Sequence, residues 1–179
     1  LSGTSLSTAR LNRSTKHRVA GAAPADYAPG MPLLVPGPDD RTLGRITVLT
    51  GARGGKYPHG NSLLVRGSAE TMVVDPSLAL LGRVAVADSA GDGIRVDRVV
   101  NSHCHEDHVA GNHLFSDVPW ALHRHDEPGI RSLDGLMAIY GMTPVIESAF
   151  RRVVVDDFHF MARSDAETFV DGDVWDLGG

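Results

Sequence analysis

One cysteine, Cys104, is all that this 179-residue chain contains. A single thiol excludes an intrachain disulfide, so stability must come from a packed core, and export is neither required nor excluded. Lysine is nearly as scarce: only Lys16 and Lys56 appear among 17 Lys and Arg residues. Together with abundant Ala, Gly, Val and Asp, this bias marks GC-rich coding rather than a function. No basic stripe is present and the formal net charge is −5, which argues against electrostatic binding of nucleic acid. No apolar run approaches the length that spans a bilayer. What remains is an apolar fraction of 42% on a chain long enough for one domain with its own core.

Acids are also missing at the start, where none precedes Asp26. The Ser-, Thr-, Ala- and Arg-rich residues 1–23 have the composition of an organelle transit segment without the apolar stretch of a secretory signal. A disordered tail on a cytoplasmic protein accounts for the same composition. The first residue is Leu rather than Met, as expected of a processed chain, an excised one or a non-ATG start. Pro24, Pro29, Pro32, Pro36 and Pro38 make an extended arm of residues 24–42. Residues 1–44 are therefore expected as tail and arm, and 45–179 as the folded part.

Ile46, Val48 and Leu49 predict a strand over Arg45–Thr50, followed by a glycine-rich turn over Gly51–Gly60. Ser62–Arg66 and Thr71–Val74 predict two strands joined as a hairpin. Ser77 would cap a helix over Leu78–Ala87, with a loop over Asp88–Gly93. Val96–Asn101 reads as a buried strand, Val109–Phe115 as a short helix and Trp120–Leu122 as a strand. Residues 125–150 read as helical, with breaks at Gly141 and Pro144, and Val153–Val155 as a strand. Phe169–Leu177 alternates around Asp171-Gly172 and reads as a hairpin.

The chemistry concentrates in His103-Cys104-His105-Glu106-Asp107-His108. Imidazole nitrogen and carboxylate oxygen both ligate zinc-like cations, and an apolar core would not tolerate unpaired acids here. His103 and His105 stand two apart, so an extended segment points both rings to one side. Asp107 and His108 are adjacent and diverge unless the loop turns, as a second ion about 3.5–4 Å from the first would require. A closed structural zinc site is disfavoured by the lone cysteine, and the His-Glu-x-x-His helix of metalloproteases is absent. A satisfied polar loop is the alternative. Cys104 itself is either a nucleophile or a filler between ligands. The loop follows a predicted strand, the place where open α/β sheets present ligands.

His103-x-His105-x-Asp107-His108, with Gly111-Asn112 and Phe115, resembles the signature of the metallo-β-lactamase fold superfamily. Asn61–Val65, Val73–Pro76, Asp97–Ser102 and Asp171–Gly179 are similar to other strands of that fold. The resemblance implies an α/β fold, an αββα four-layer sandwich, of which this chain covers about the first half. It implies His103 and His105 on a first metal, Asp107 and His108 on a second, and Asp107 as the general base toward water. It implies that Asp75 supports the metal loop; a strand-end turn before Pro76 explains the same carboxylate.

Ligands that the family carries farther along have no counterpart before Gly179. His59, His113 and the pair His123 and His125 are the nearest substitutes, and loop, core or surface roles suit them better. Half of a sandwich would expose an apolar sheet face, to be covered by the rest of the fold or a second copy. The reading that follows is a hydrolase with zinc, two ions in a complete site, acting through hydroxide on an ester, thioester or lactam carbonyl of a small molecule. Glyoxalase-II-like hydrolysis comes first, lactonase or β-lactamase chemistry next. The alternatives are iron-dependent oxygen chemistry on the same loop (with manganese a further candidate ion), or a metal-binding fragment without activity.

Overall fold

The computed structural model describes residues 18–19, 32–86 and 93–178. Most of the expected tail over residues 1–23 and the loop over 88–93 lies outside these. In chain order the strands are β1 (Arg18–Val19), β2 (Pro32–Leu34), β3 (Arg41–Leu43), β4 (Ile46–Leu49), β5 (Ser62–Arg66), β6 (Thr71–Val74), β7 (Val84–Val86), β8 (Ile94–Arg95), β9 (Arg98–Asn101), β10 (Trp120–His123), β11 (Glu167–Phe169) and β12 (Val174–Trp175). The helices are α1 (Ala52–Gly55), α2 (Glu106–Val109), α3 (Glu127–Arg131), α4 (Leu133–Tyr140) and α5 (Pro144–Asp156). Within α1, Arg53 and Gly54 are left-handed, so it is one irregular turn.

A seven-stranded sheet runs β11-β10-β9-β6-β5-β4-β3. Pairing from β3 to β6 is antiparallel, whereas β6, β9, β10 and β11 run parallel. The parallel half aligns the C-terminal ends of β6 and β9, with Val74 opposite Val100. All four residues of β9 are buried, as expected for a strand covered on both faces.

One sheet face packs against the helices. Leu49, Leu64, Val73, Val99, Trp120 and Leu122 share a core with Ile130 of α3, Leu136 and Met137 of α4 and Val154 of α5. On the other face, Leu43, Ile46 and Leu63 stay exposed toward the β3 edge. At the β11 end, the Trp175 ring packs edge-on against Phe169, 4.8 Å between centroids. There β12 begins a separate two-stranded pairing with β1. A third sheet orders β7-β2-β8.

Several sequence expectations change. Regular structure begins before Arg45: Leu33 and Leu34 of β2 are core residues, at 2% and 0% exposure. The helix expected over Leu78–Ala87 is a single 3-10 turn, Leu78–Leu80, capped by the Ser77 hydroxyl, followed by β7. Gly82, at φ +76, ends it, and β-branched Val84 and Val86 then pair with β2. The short helix expected over Val109–Phe115 is divided between α2, which starts earlier, and a 3-10 turn over Asn112–Phe115. Val153–Val155 is not a strand but the last full turn of α5, because Val154 is wholly buried in the core. Tertiary burial overrides β propensity there. The segment Phe169–Leu177 turns at Gly172 but forms no hairpin: β11 pairs with β10, and β12 with β1. The chain thus crosses between sheets, and Leu177 O accepts from Ala69 N and Glu70 N to fasten the crossing. Among the described residues, no helix is long and apolar enough to cross a membrane.

Candidate metal centre

The buried run of β9 ends at Asn101, and the six-residue cluster leaves from the sheet at that point. Asp75 ends the neighbouring β6 and has φ +50, a left-handed conformation that Asp tolerates better than most side chains. From there its carboxylate fastens both ends of the loop. Oδ1 accepts from Ser102 N at 2.6 Å, and Oδ2 accepts from Ser102 Oγ at 2.7 Å. His108 Nδ1 donates to Oδ2 at 3.1 Å. This hydrogen bond raises the pKa of His108, against the lowering effect of its burial. It also fixes the tautomer that leaves Nε2 free.

A second brace comes from two buried asparagines. Asn101 Nδ2 donates to His108 O at 2.9 Å and to Asn112 Oδ1 at 3.2 Å, and Asn112 Nδ2 returns a bond to Asn101 Oδ1 at 2.8 Å. Gly111 N donates to Pro76 O at 2.7 Å, so the helical turn after the loop lies on the β6 end. A Cβ at Gly111 would lie 2.9 Å from Ser77 O, which explains glycine there. On the opposite flank, Ser77 Oγ donates to Gly60 O at 2.5 Å and Ser62 Oγ to Asp75 O at 2.7 Å. The glycine-rich turn is held against the same strand end.

The three histidine rings of the loop lie close together. His103 and His105 centroids are 4.6 Å apart, and His103 and His108 centroids 4.1 Å. The His103 pKa is lowered by burial and then by His108 and His105, which favours the neutral, ligating form. Its Nδ1 lies 3.0 Å from Ser102 Oγ, so Nε2 is the nitrogen left over. Asp107 Oδ2 lies 3.8 Å from His108 Nε2. Donor chemistry and proximity fit a zinc-like cation. Among the described residues, however, no group of three or more His, Cys, Asp or Glu side chains is placed to hold a metal ion.

The other histidines lie elsewhere. His123 and His125 meet edge-on at 4.8 Å at the end of β10, with His123 Nε2 3.7 Å from Asp171. His113 faces His159 at 5.1 Å and meets Ala110 O through Nδ1. His59 lines a cleft with Arg53 and Arg83. Among the described residues, no hydrogen bond or ring contact joins these five to the cluster. Residues that sequence reasoning passed over are Asn101, Tyr57, Tyr140 and Glu106. Glu106 takes the Tyr57 hydroxyl at 3.1 Å and that of Tyr140. Its place between two ligand candidates was the available signal.

Cys104 points into the core, fully buried, with Sγ 3.4 Å from Asp126 Oδ1. Burial, then the Asp126 carboxylate, pushes its thiol up to about 12. It is therefore a filler rather than a nucleophile. Iodoacetamide at pH 8 should leave Cys104 almost unmodified in the native chain and alkylate it rapidly in denaturant. Comparable rates by mass spectrometry would refute this burial.

A sequence profile described as the metallo-beta-lactamase superfamily matches residues 56–169. No curated protein sequence matches the chain. Among solved structures, a beta-lactamase domain protein from Burkholderia ambifaria superposes with TM-score 0.51 at 18% identity, over 80% of this chain and 48% of the other. A hydrolase of the beta lactamase superfamily, AbOPH, gives TM-score 0.48 at 14% identity, over 83% of this chain and 63% of the other. A metallo-beta-lactamase mutant from Cronobacter sakazakii gives TM-score 0.37 at 15% identity, over 57% of this chain and 38% of the other. The chain thus spans about half the length of the first of these structures.

Proposed function

The chain belongs to the metallo-beta-lactamase superfamily, and on that premise we propose that it is a metal-dependent hydrolase acting on an ester, thioester or lactam carbonyl. The superfamily typically binds metal ions and consists largely of hydrolases. The observation that carries the reading is the gathering of three imidazoles and Asp107 at the end of β9, with Asp75 holding His108 so that Nε2 is unused. His103 and His105 would hold one ion, and Asp107 and His108 a second. Zinc suits nitrogen and carboxylate donors, and iron or manganese can take the same set.

When bound, such ions supply Lewis-acid polarisation of the carbonyl and acidify an attacking water. Asp107 takes the water proton at a carboxylate oxygen, the general-base role its half-buried position allows. Asp75 holds the His108 proton on Nδ1 throughout. Asn101 keeps the loop backbone from shifting at His108 O.

The test uses the 179-residue chain with zinc, a thioester and a chromogenic lactam. The chain is expected to retain zinc by elemental analysis and to turn over at least one substrate class. His103→Ala and His105→Ala should lose both. Retention of iron with oxygen uptake would overturn the hydrolase reading, and a chain that retains no metal would overturn the site.

A further inference from the structure

Two of the three loop histidines are oriented by hydrogen bonds. His103 meets Ser102 Oγ, and His108 donates to Asp75. His105 has no such partner: among the described residues, neither of its ring nitrogens makes a hydrogen bond. Its ring lies instead on Tyr140, 5.2 Å between centroids and 22° between planes. Tyr140 ends α4 and packs edge-on against Phe150 of α5, 5.0 Å away. The stack therefore joins an exposed ligand candidate to the helical layer.

Glu106 is what fixes Tyr140. It is only 6% exposed, and among the described residues no Arg or Lys pairs with it. An ionised carboxylate in such a place is unfavourable unless hydrogen bonds replace its water. Tyr57 Oη donates to Oε1 at 3.1 Å, and Tyr140 Oη donates to Oε2. Glu106 N in turn lies 3.4 Å from Tyr140 Oη, so the Tyr140 phenol is held by both the backbone and the side chain of Glu106. Tyr57 approaches from the glycine-rich turn, which Ser77 and Ser62 hold at the same strand end. A buried carboxyl partnered by phenols rather than by a cation is a local exception of the kind that collects beside functional sites.

We propose that Tyr140, locked by Glu106, is the positioning residue of His105, doing by ring stacking what Ser102 and Asp75 do for His103 and His108 by hydrogen bonding. This rests on the reading of residues 103–108 as an ion-holding loop. Partners that orient a ligand from behind it set metal affinity without touching the ion.

The experiment is a cobalt(II) titration of the full 179-residue chain, followed by its visible absorption bands and by chelator competition. Tyr140→Leu and Glu106→Ala should each weaken binding about tenfold and alter the bands. The double variant should be little weaker than the worse single one, since both act on one ring. Glu106→Gln, which keeps an acceptor and the side-chain shape, should restore most of the affinity and the wild-type bands. Tyr140→Phe keeps the ring for stacking but removes the hydroxyl that Glu106 holds, so its bands should shift with a loss of roughly threefold, below the 10- to 100-fold typical of outer partners. Should the Leu or Ala variants fail to fold, these last two decide: wild-type bands and affinity in Tyr140→Phe would overturn the proposal. So would Leu and Ala variants that melt lower but bind cobalt as the wild type does. A wild-type chain that binds no cobalt would overturn the ion-holding loop itself, and the positioning role with it.

Discussion

Asp75→Ala is expected to lower zinc affinity by about 10- to 100-fold, the range seen when the partner that orients a metal-ligating histidine is removed. The substitution deletes the acceptor of three hydrogen bonds, from Ser102 N, Ser102 Oγ and His108 Nδ1. Without it, the His108 imidazole can rotate or place its proton on the nitrogen that should ligate. Part of the damage would be to the fold, because residue 75 sits at φ +50 and alanine is disfavoured there by roughly 1–2 kcal/mol. Asp75→Asn separates the two effects. Asparagine tolerates the left-handed conformation and still accepts from Ser102 N, but one of its two positions becomes a donor facing His108 or Ser102. Its melting temperature should stay near wild type while zinc affinity falls. Chelator competition and thermal melts of the metal-free chains give both quantities. An Asp75→Asn chain with undiminished affinity would show that Asp75 is only a turn residue before Pro76.

Trp120→Ala should cost about 3–5 kcal/mol, as expected for deleting a large buried aromatic side chain. Trp120 is 1% exposed at the centre of the core. Its Nε1 donates to Phe115 O at 2.8 Å, and the Arg163 guanidinium lies over the ring at 4.8 Å. The variant loses ring volume, a buried hydrogen bond and a cation–π contact together. For a chain of this size, each kcal/mol moves the melting temperature by roughly 2–4 °C, so a fall of about 6–20 °C is expected. Trp120→Phe keeps most of the volume and should lose markedly less. The effect reaches the ligand loop because Trp120 pairs with Val99 of β9, the strand that carries it. A fall of only one or two degrees in Trp120→Ala would mean that the core closes over the gap, contrary to its packing here.

Much of the parallel half of the sheet was legible in the sequence. Val99 and Val100 form a continuous apolar stretch that reads as a buried strand, and β9 is one. The Ser62–Arg66 and Thr71–Val74 hairpin reads equally well, because alternation and a Gly-Ser turn are local signals. Val153–Val155 misleads because a run of valines reads as a strand, whereas here it is helical and only Val154 of the three is buried in the core. Asp171-Gly172 misleads because a turn signal specifies the reversal and not the strands that receive the two ends. Leu33 and Leu34, framed by Pro32 and Pro36, look like part of an arm, and only their pairing with β7 and β8 makes them core.

The sequence by itself determined where the ligand chemistry lies. Four donors within six positions cannot be far apart in any fold, so their proximity needs no tertiary information. Which atoms remain free to ligate was decided only by tertiary structure. Asp75 reaches His108 across 33 residues, Tyr140 reaches Glu106 across 34 and Tyr57 across 49. Those bonds exist because parallel β6 and β9 bring two strand ends level, and because the core sets α4 beside the loop. No local pattern encodes such a distance. It follows from burying the apolar faces that place these side chains, and that burial is a property of the whole chain.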